Sequence, residues 1–233
     1  MVGQAGHTIH QTYAALTPLI ASPAPFATLA GIALDVTVSA RSDARSASAT
    51  GGFLFTHGGY SGPAVLDVSH VAVRSQAGES PPARVVVKWT RLDRDAWTRA
   101  FEPRGSRTVL AAVSGELPSR LAEALIAAAG VDPRTPLARL TRAHRISVID
   151  TLVHGVLPWS GDEGYKKAEV TGGGVSLEEI DHRTMESRVH QGLYICGEIL
   201  DAFGPIGGYN FFWAWATGRA AGLGAARRVG PVK

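Results

Sequence analysis

The sequence contains a single cysteine, Cys196, which excludes an internal disulfide and a cysteine-built zinc site and leaves the thiol as a small hydrophobe beside a glycine-rich stretch. A long apolar run is also missing. The longest charge-free one, Leu16 to Leu34, is interrupted by Pro18, Pro23 and Pro25, so no spanning helix and no membrane partner are expected. The opening MVGQAGHTIHQTYAALTPL has neither the basic start nor the continuous apolar stretch of a secretory leader, and a cytoplasmic location is expected. Charge is nearly balanced at a net +3. The arginines from Arg84 to Arg145 are interleaved with acids in an alanine-rich context, without a strip of stacked aromatics and cations, so nucleic acid is not expected as a partner. His7 and His10 stand one helical turn apart with no third ligand to join them, and no metal site is expected. None of the 27 glycines falls in a G-x-G-x-x-G spacing.

What remains is a chain of 233 residues, 45% hydrophobic and 18% charged, with material for one sizeable core or two small ones. GIALDVTVSA alternates with a period of two, RSDARSASATGG is a polar turn leading into FLFT, and ARVVVKWT is a third β-rich run. Together they predict a small antiparallel sheet or partial barrel over 31–90. From 93 to 152 the character is helical. LPSRLAEALIAAAG places Pro118 at a first turn and Gly130 past the end, with Leu121, Leu125 and Ala128 on one face, and TPLARLTRAHRISVIDTL offers Thr135 as a cap and Pro136 in a first turn. Strand signals return in LVHGVLPW, KKAEVT and GLYICG, and an alanine-rich helix is expected from Tyr209 to Arg228.

The chemistry concentrates near the end. The apolar strand Leu193 to Cys196 closes on Gly197 and Glu198, and an acid at a strand's carboxyl end accepts hydrogen bonds from sugar-like hydroxyls; Glu198 and Asp201 read equally as polar loop residues. GPIGGYN runs straight into the long helix, leaving the amides of Gly207, Gly208, Tyr209 and Asn210 as free donors at the positive end of its dipole. Such an end favours an anion or an electron-rich carbonyl. Trp213 and Trp215 fall on nearly opposite sides of that helix, so at least one is expected to contact another lobe rather than a ligand. In FTHGGYSGPA, Ser61 can cap a helix beginning at Gly62 and Pro63, while His57, in a glycine-loosened loop after a strand, is either a satisfied structural histidine or a group that orients substrate or relays a proton.

Three ordered blocks resemble one family. VTGGGVSLEEIDHRTMESRVHQGLYICGEILDAFGPIGGYNFFWAWATGRAAG, GGFLFTHGGYSGPAVLDVS and GHTIHQTYAALTPL are similar to elements of the NAD(P)/FAD-dependent oxidoreductases called BaiN-like or the aminoacetone oxidase family. The resemblance implies an α/β fold, an FAD-binding Rossmann-like domain interrupted by an α+β insert with a β-barrel-like sheet and a small helical lobe. It implies a first FAD-domain segment ending at 1–20, an inserted substrate domain at 21–160 and a closing FAD segment at 161–233. It implies FAD as cofactor, with Glu198 and Asp201 toward the ribityl and pyrophosphate side and Gly207, Gly208, Tyr209 and Asn210 toward the pyrimidine edge. Gly172, Gly173 and Gly174 would let backbone approach the isoalloxazine, with Thr171 ending a strand beneath it; the alternative for these glycines is a plain β-turn. Hydride transfer between flavin and a small organic substrate follows, with NAD(P)H as a second nucleotide partner. The missing glycine fingerprint makes the Rossmann-like domain incomplete, and a truncated or split product, partnered by an upstream polypeptide carrying the nucleotide-binding half, is expected. A non-catalytic binding or scaffold module with degenerate flavin contacts is the alternative.

Overall fold

The computed structural model describes residues 2–76, 78, 81–103 and 105–229. Along them run β1 (Ile9–Ala15), β2 (Leu19–Ile20), β3 (Ala33–Arg41), β4 (Ser46–Phe55), β5 (Gly59–Ser61), α1 (Pro63–Gln76), β6 (Arg84–Lys88), α2 (Arg94–Ala100), α3 (Val109–Val113), α4 (Ser119–Ala128), α5 (Arg142–His154), β7 (Gly155–Val156), β8 (Gly161–Asp162), β9 (Val170–Val175) and α6 (Tyr209–Val229). The mixed α/β content is as expected from sequence. The chain divides into two units: a discontinuous one, Met1–Thr17 with Gly164–Lys233, and an insert, Pro18–Glu163. Among the described residues no helix is long and apolar enough to cross a membrane.

The insert is built on an antiparallel sheet ordered β7-β6-β3-β4-β5-β2-β8. The period of two in β3 sends Val36, Val38 and Ala40 inward with Phe53, Phe55, Val85 and Val87, where they bury against Val65, Val68, Val71 and Ala72 of α1. Trp89 stacks on Phe55 at a centroid distance of 5.7 Å and meets Phe53 edge-on at 5.5 Å. The polar turn of the hairpin is shorter than its composition suggests: Ser46 to Thr50 belong to β4, because Arg41 to Thr37 pair with them residue for residue. The helical lobe is punctuated by side-chain caps, Asp93 accepting from the Ala96 amide, Thr108 from Ala111 and Thr141 from His144. Thr141 therefore caps α5, not Thr135; Pro136 and Leu140 are extended and confine 137–139 to a single 3-10 turn. On α4 the buried side chains are Leu121, Ala122, Leu125 and Ile126, and Ala128 is exposed.

Ser61 does not cap α1. It pairs with Leu54 at the end of β5, and the Gly62 carbonyl accepts the first helical bond, from the Leu66 amide at 3.0 Å. Gly62 has a φ of +95°, and a Cβ there would lie 2.6 Å from the Gly52 carbonyl oxygen. The insert is closed at its base by the β2–β8 pair, Leu19 opposite Asp162, and by the Glu163 amide donating to the Pro18 carbonyl at 3.2 Å.

The discontinuous unit joins its two segments through β1 and β9, antiparallel, with a register irregularity between His10 and Tyr13. A small core of Val175, Ile180, Met185, Ile195, Leu200 and Ala221 lies beside α6. Leu193 to Cys196 is not a strand. Its backbone makes one bridge, Tyr194 to Glu186, because the parallel neighbours a ladder needs are not among the described residues. The strand expected in KKAEVT begins only at Val170. Buried His7 ties the segments together: Nδ1 lies 2.8 Å from Glu179 Oε2 and Nε2 lies 2.8 Å from Ser187 Oγ. The Thr8 side chain and amide, and then His7, hold the Glu179 carboxyl below its ordinary value of 4.5.

Two outcomes follow from these contacts. Gly62→Ala adds both a left-handed penalty and a backbone clash, and urea unfolding followed by tryptophan fluorescence is expected to register a loss of about 2–4 kcal/mol. For Glu179 the folded pKa is depressed, so its contribution is complete above about 4.5 and disappears as pH falls through the folded value. Thermal melts from pH 7 to 3 should therefore show an acid limb that Glu179→Gln flattens; an unchanged limb would disprove the assignment.

Candidate functional site

The end of α6 is shaped by two consecutive glycines, Gly207 at φ +116° and Gly208 at φ +91°. At Gly208 a Cβ would meet nothing within 4 Å, so the residue is glycine for its backbone conformation and not for lack of room. The Gly208 carbonyl accepts from the Phe212 amide at 3.0 Å, which makes it the last residue before the helix and leaves the amides of Tyr209, Asn210 and Phe211 without intrahelical partners. Asn210 and Phe211 border a cavity of about 370 Å³ whose apolar wall includes Phe203, Ile206 and Trp213 and whose acids are Glu169 and Glu198.

Glu198 is fixed by its neighbours. It sits in the 3-10 turn Gly197–Ile199 and accepts from the Thr171 amide at 2.5 Å. Gly197, at φ +80°, is held to α6 by both backbone groups, its amide donating to Thr217 Oγ1 at 2.9 Å and its carbonyl accepting from Trp213 Nε1 at 3.2 Å. Trp213 thereby faces the unit's own core, while Trp215 is 79% exposed. On its other side Glu198 also borders a second cavity of about 480 Å³, shared with Thr12, Thr171, Gly173 and Gly174.

The predicted residues separate into distinct groups. Glu198, Gly207, Gly208 and Asn210 meet at the first cavity, and Tyr209 begins the helix beside it. Asp201 lines neither cavity; its amide donates to the Val175 carbonyl and its carboxylate lies 3.9 Å from His10 Nε2. Thr171 stands near the start of β9, opposite Ala14, rather than at a strand's end. Gly172, Gly173 and Gly174 are in that strand, not in a turn, and the protein itself fills the space their side chains would need. A Cβ would fall 2.3 Å from the Tyr13 ring, 2.3 Å from the Gln11 carbonyl and 2.4 Å from the Ile199 carbonyl, respectively. His57 belongs to the insert, exposed in the turn between β4 and β5, where the Thr56 amide donates to the Gly59 carbonyl.

Sequence reasoning missed Phe203, Ile206 and Trp213 as wall residues, although Phe203 directly precedes the GPIGGYN segment and Ile206 lies within it. It also missed what the Asn210 side chain does. Its Oδ1 accepts from the Gly204 amide at 2.8 Å and its Nδ2 donates to the Gly204 carbonyl at 3.0 Å, locking the loop that carries Gly207 and Gly208. The side chain is a brace for that loop.

The HI0933-like protein Rossmann domain family matches residues 1–224. The chain is 35% identical over 201 residues to a ribosomal RNA dihydrouridine synthase of Haemophilus influenzae, covering 86% of this chain and 48% of that protein. It is 39% identical over 167 residues to the protein of the same description in Escherichia coli, covering 70% and 40%. To a 3-dehydro-bile acid delta(4,6)-reductase of Clostridium scindens it is 32% identical over 229 residues, covering 96% and 56%. The chain spans about half the length of these curated relatives.

Because the Asn210 side chain pairs twice with Gly204, Asn210→Ala is expected to destabilise the discontinuous unit by about 1–3 kcal/mol. Hydrogen exchange at the Gly204 amide should accelerate in the variant. Unaltered exchange there would show that the brace is dispensable.

Proposed function

This chain belongs to the HI0933-like Rossmann-domain family, and from that membership we propose that it forms part of an FAD-dependent oxidoreductase that saturates a carbon–carbon double bond conjugated to a carbonyl. The observation that carries the reading is the open amide end of α6 beside an apolar cavity. When bound, the flavin supplies a hydride from N5, taken in turn from NAD(P)H. The amides of Gly208, Tyr209 and Asn210, at the positive end of a helix of 21 residues, stabilise negative charge on the pyrimidine edge of the ring. Phe203, Ile206 and Trp213 keep water from that face. Glu198, with one oxygen on the Thr171 amide, is the acceptor for flavin hydroxyls. Gly172 to Gly174 act through packing, and Asp201 stands one step removed. The ADP half of the cofactor falls to polypeptide outside this sequence.

The reaction class draws support from the names of the relatives. Uridine holds its 5,6 double bond in conjugation with a ring carbonyl, and a 3-dehydro steroid unsaturated at positions 4 and 6 does the same. In each, hydride goes to the carbon of the reduced bond remote from the carbonyl and a proton to the other carbon of that bond, with the electron pair delocalised onto the carbonyl oxygen in between.

Riboflavin fluorescence quenching tests the ring site without the nucleotide half. The chain is expected to bind riboflavin, with FAD no tighter, and Gly208→Val should weaken both at least tenfold. Gly218→Ala is the control, since Gly218 lies in α6 with no atom within 4 Å of a Cβ. Riboflavin affinity that Gly208→Val leaves unchanged would remove the amide platform from the flavin site.

A further inference from the structure

The outward side of the insert's sheet has a composition that neither packing nor the flavin site explains. Register sets it in rows across β4, β3 and β6: Ser46 with Arg41 and Arg84, Ser48 with Ser39 and Val86, Thr50 with Thr37 and Lys88. None of these side chains is buried. The hydroxyls bridge in pairs, Thr37 to Thr50 and Ser39 to Ser48, each at 2.8 Å. Arg41 and Arg84 are direct cross-strand partners, an arrangement of like charges that destabilises a sheet when nothing neutralises it. Arg41, Arg84 and Lys88 have no ion-pair partner among the described residues. At this end of the face a groove of about 630 Å³ collects Arg41, Arg84 and His154, with Asp43 as its acid. A second, of about 410 Å³, collects Lys88 and Arg91 with Asp35.

We propose that this face is a docking surface for the sugar-phosphate backbone of RNA. Charge complementarity carries the assignment: a row of phosphates supplies the countercharge that Arg41, Arg84 and Lys88 lack within the protein. The serine and threonine hydroxyls donate to phosphate oxygens and accept from 2′-hydroxyls. No aromatic side chain stands in the three rows, so bases find no stacking platform there and the contacts are independent of sequence. The face would position an RNA, and the choice of nucleotide would lie elsewhere. The proposal takes the RNA branch of the function proposed above and names the macromolecule that carries the reducible base.

Fluorescence anisotropy of a labelled RNA hairpin, titrated with the chain between about 50 and 200 mM salt, reads this directly. Arg41→Glu with Arg84→Glu is expected to weaken binding at least tenfold and to flatten the salt dependence, with Arg41→Ala and Arg84→Ala intermediate. Arg134→Glu with Arg139→Glu, two exposed arginines of the helical lobe, changes net charge equally and should weaken binding far less. Equal losses in the two charge-reversed variants, no RNA binding at low salt, or tighter binding to phosphatidylserine vesicles than to RNA would each overturn the proposal. Parallel riboflavin titrations keep the two readings apart: flavin binding without RNA binding sinks only the docking face, and RNA binding without flavin binding sinks only the flavin site.

Discussion

The discontinuous unit depends on one buried imidazole. Its two segments are far apart in sequence, and His7 spans them with a carboxylate on one nitrogen and a hydroxyl on the other, across separations of 172 and 180 residues. Serine, histidine and glutamate in that order form the geometry of an activated nucleophile, but here the environment gives it a different use. Ser187 Oγ already accepts from the amides of Val189 and His190 and lies 2.8 Å from His7 Nε2, and the residue is buried, so its lone pairs are held by the backbone and it is closed to a substrate. The same three groups that would activate an exposed serine serve, with the serine and the histidine buried, as a latch between the two segments. With β1 latched, Tyr13 can lie against Gly172 and the Gln11 carbonyl against Gly173, and the strand that supports Glu198 is set.

The glycines divide by the cause of their smallness. In β9 protein atoms already occupy the space beside Gly172, Gly173 and Gly174, and Gly173 and Gly174 also have positive φ, +81° and +118°, so a larger residue would separate β1 from β9 or push the 197–199 turn away. At Gly207 and Gly208 only the backbone conformation calls for glycine, and a Cβ on Gly208 would meet open space. A sequence shows both as G, and only the neighbours distinguish close packing from access. This distinction leaves open space beside Gly208 and none beside the glycines of β9.

Local signals were legible wherever local chemistry decides the structure. The alternation in β3, Gly130 past the end of α4 and the run from Tyr209 all needed only a few neighbours to be read. The failures share a different cause. Leu193 to Cys196 has the composition of a buried parallel strand, but strand formation is a pairwise event and its pairing partners are not among the described residues. Asn210 was assigned through its place in a motif, while its side chain had been taken by a glycine carbonyl and amide earlier in the loop. The cations of the outer sheet face were invisible as a cluster because Arg41 and Arg84 are separated by a whole helix in sequence and become neighbours only through the β3–β6 register. A search for basic runs along a chain is blind to patches assembled across strands.

The paired base of the insert changes the kinetic problem of assembling the other unit. Ordinarily β1 would search for β9 across a long intervening chain, with a closure entropy that grows with the logarithm of loop length. Once Leu19 is paired with Asp162 and Glu163 with Pro18, everything between them is a folded body with adjacent ends. To the flanking segments it then behaves as a short turn, and β1 and β9 meet as the two arms of a hairpin.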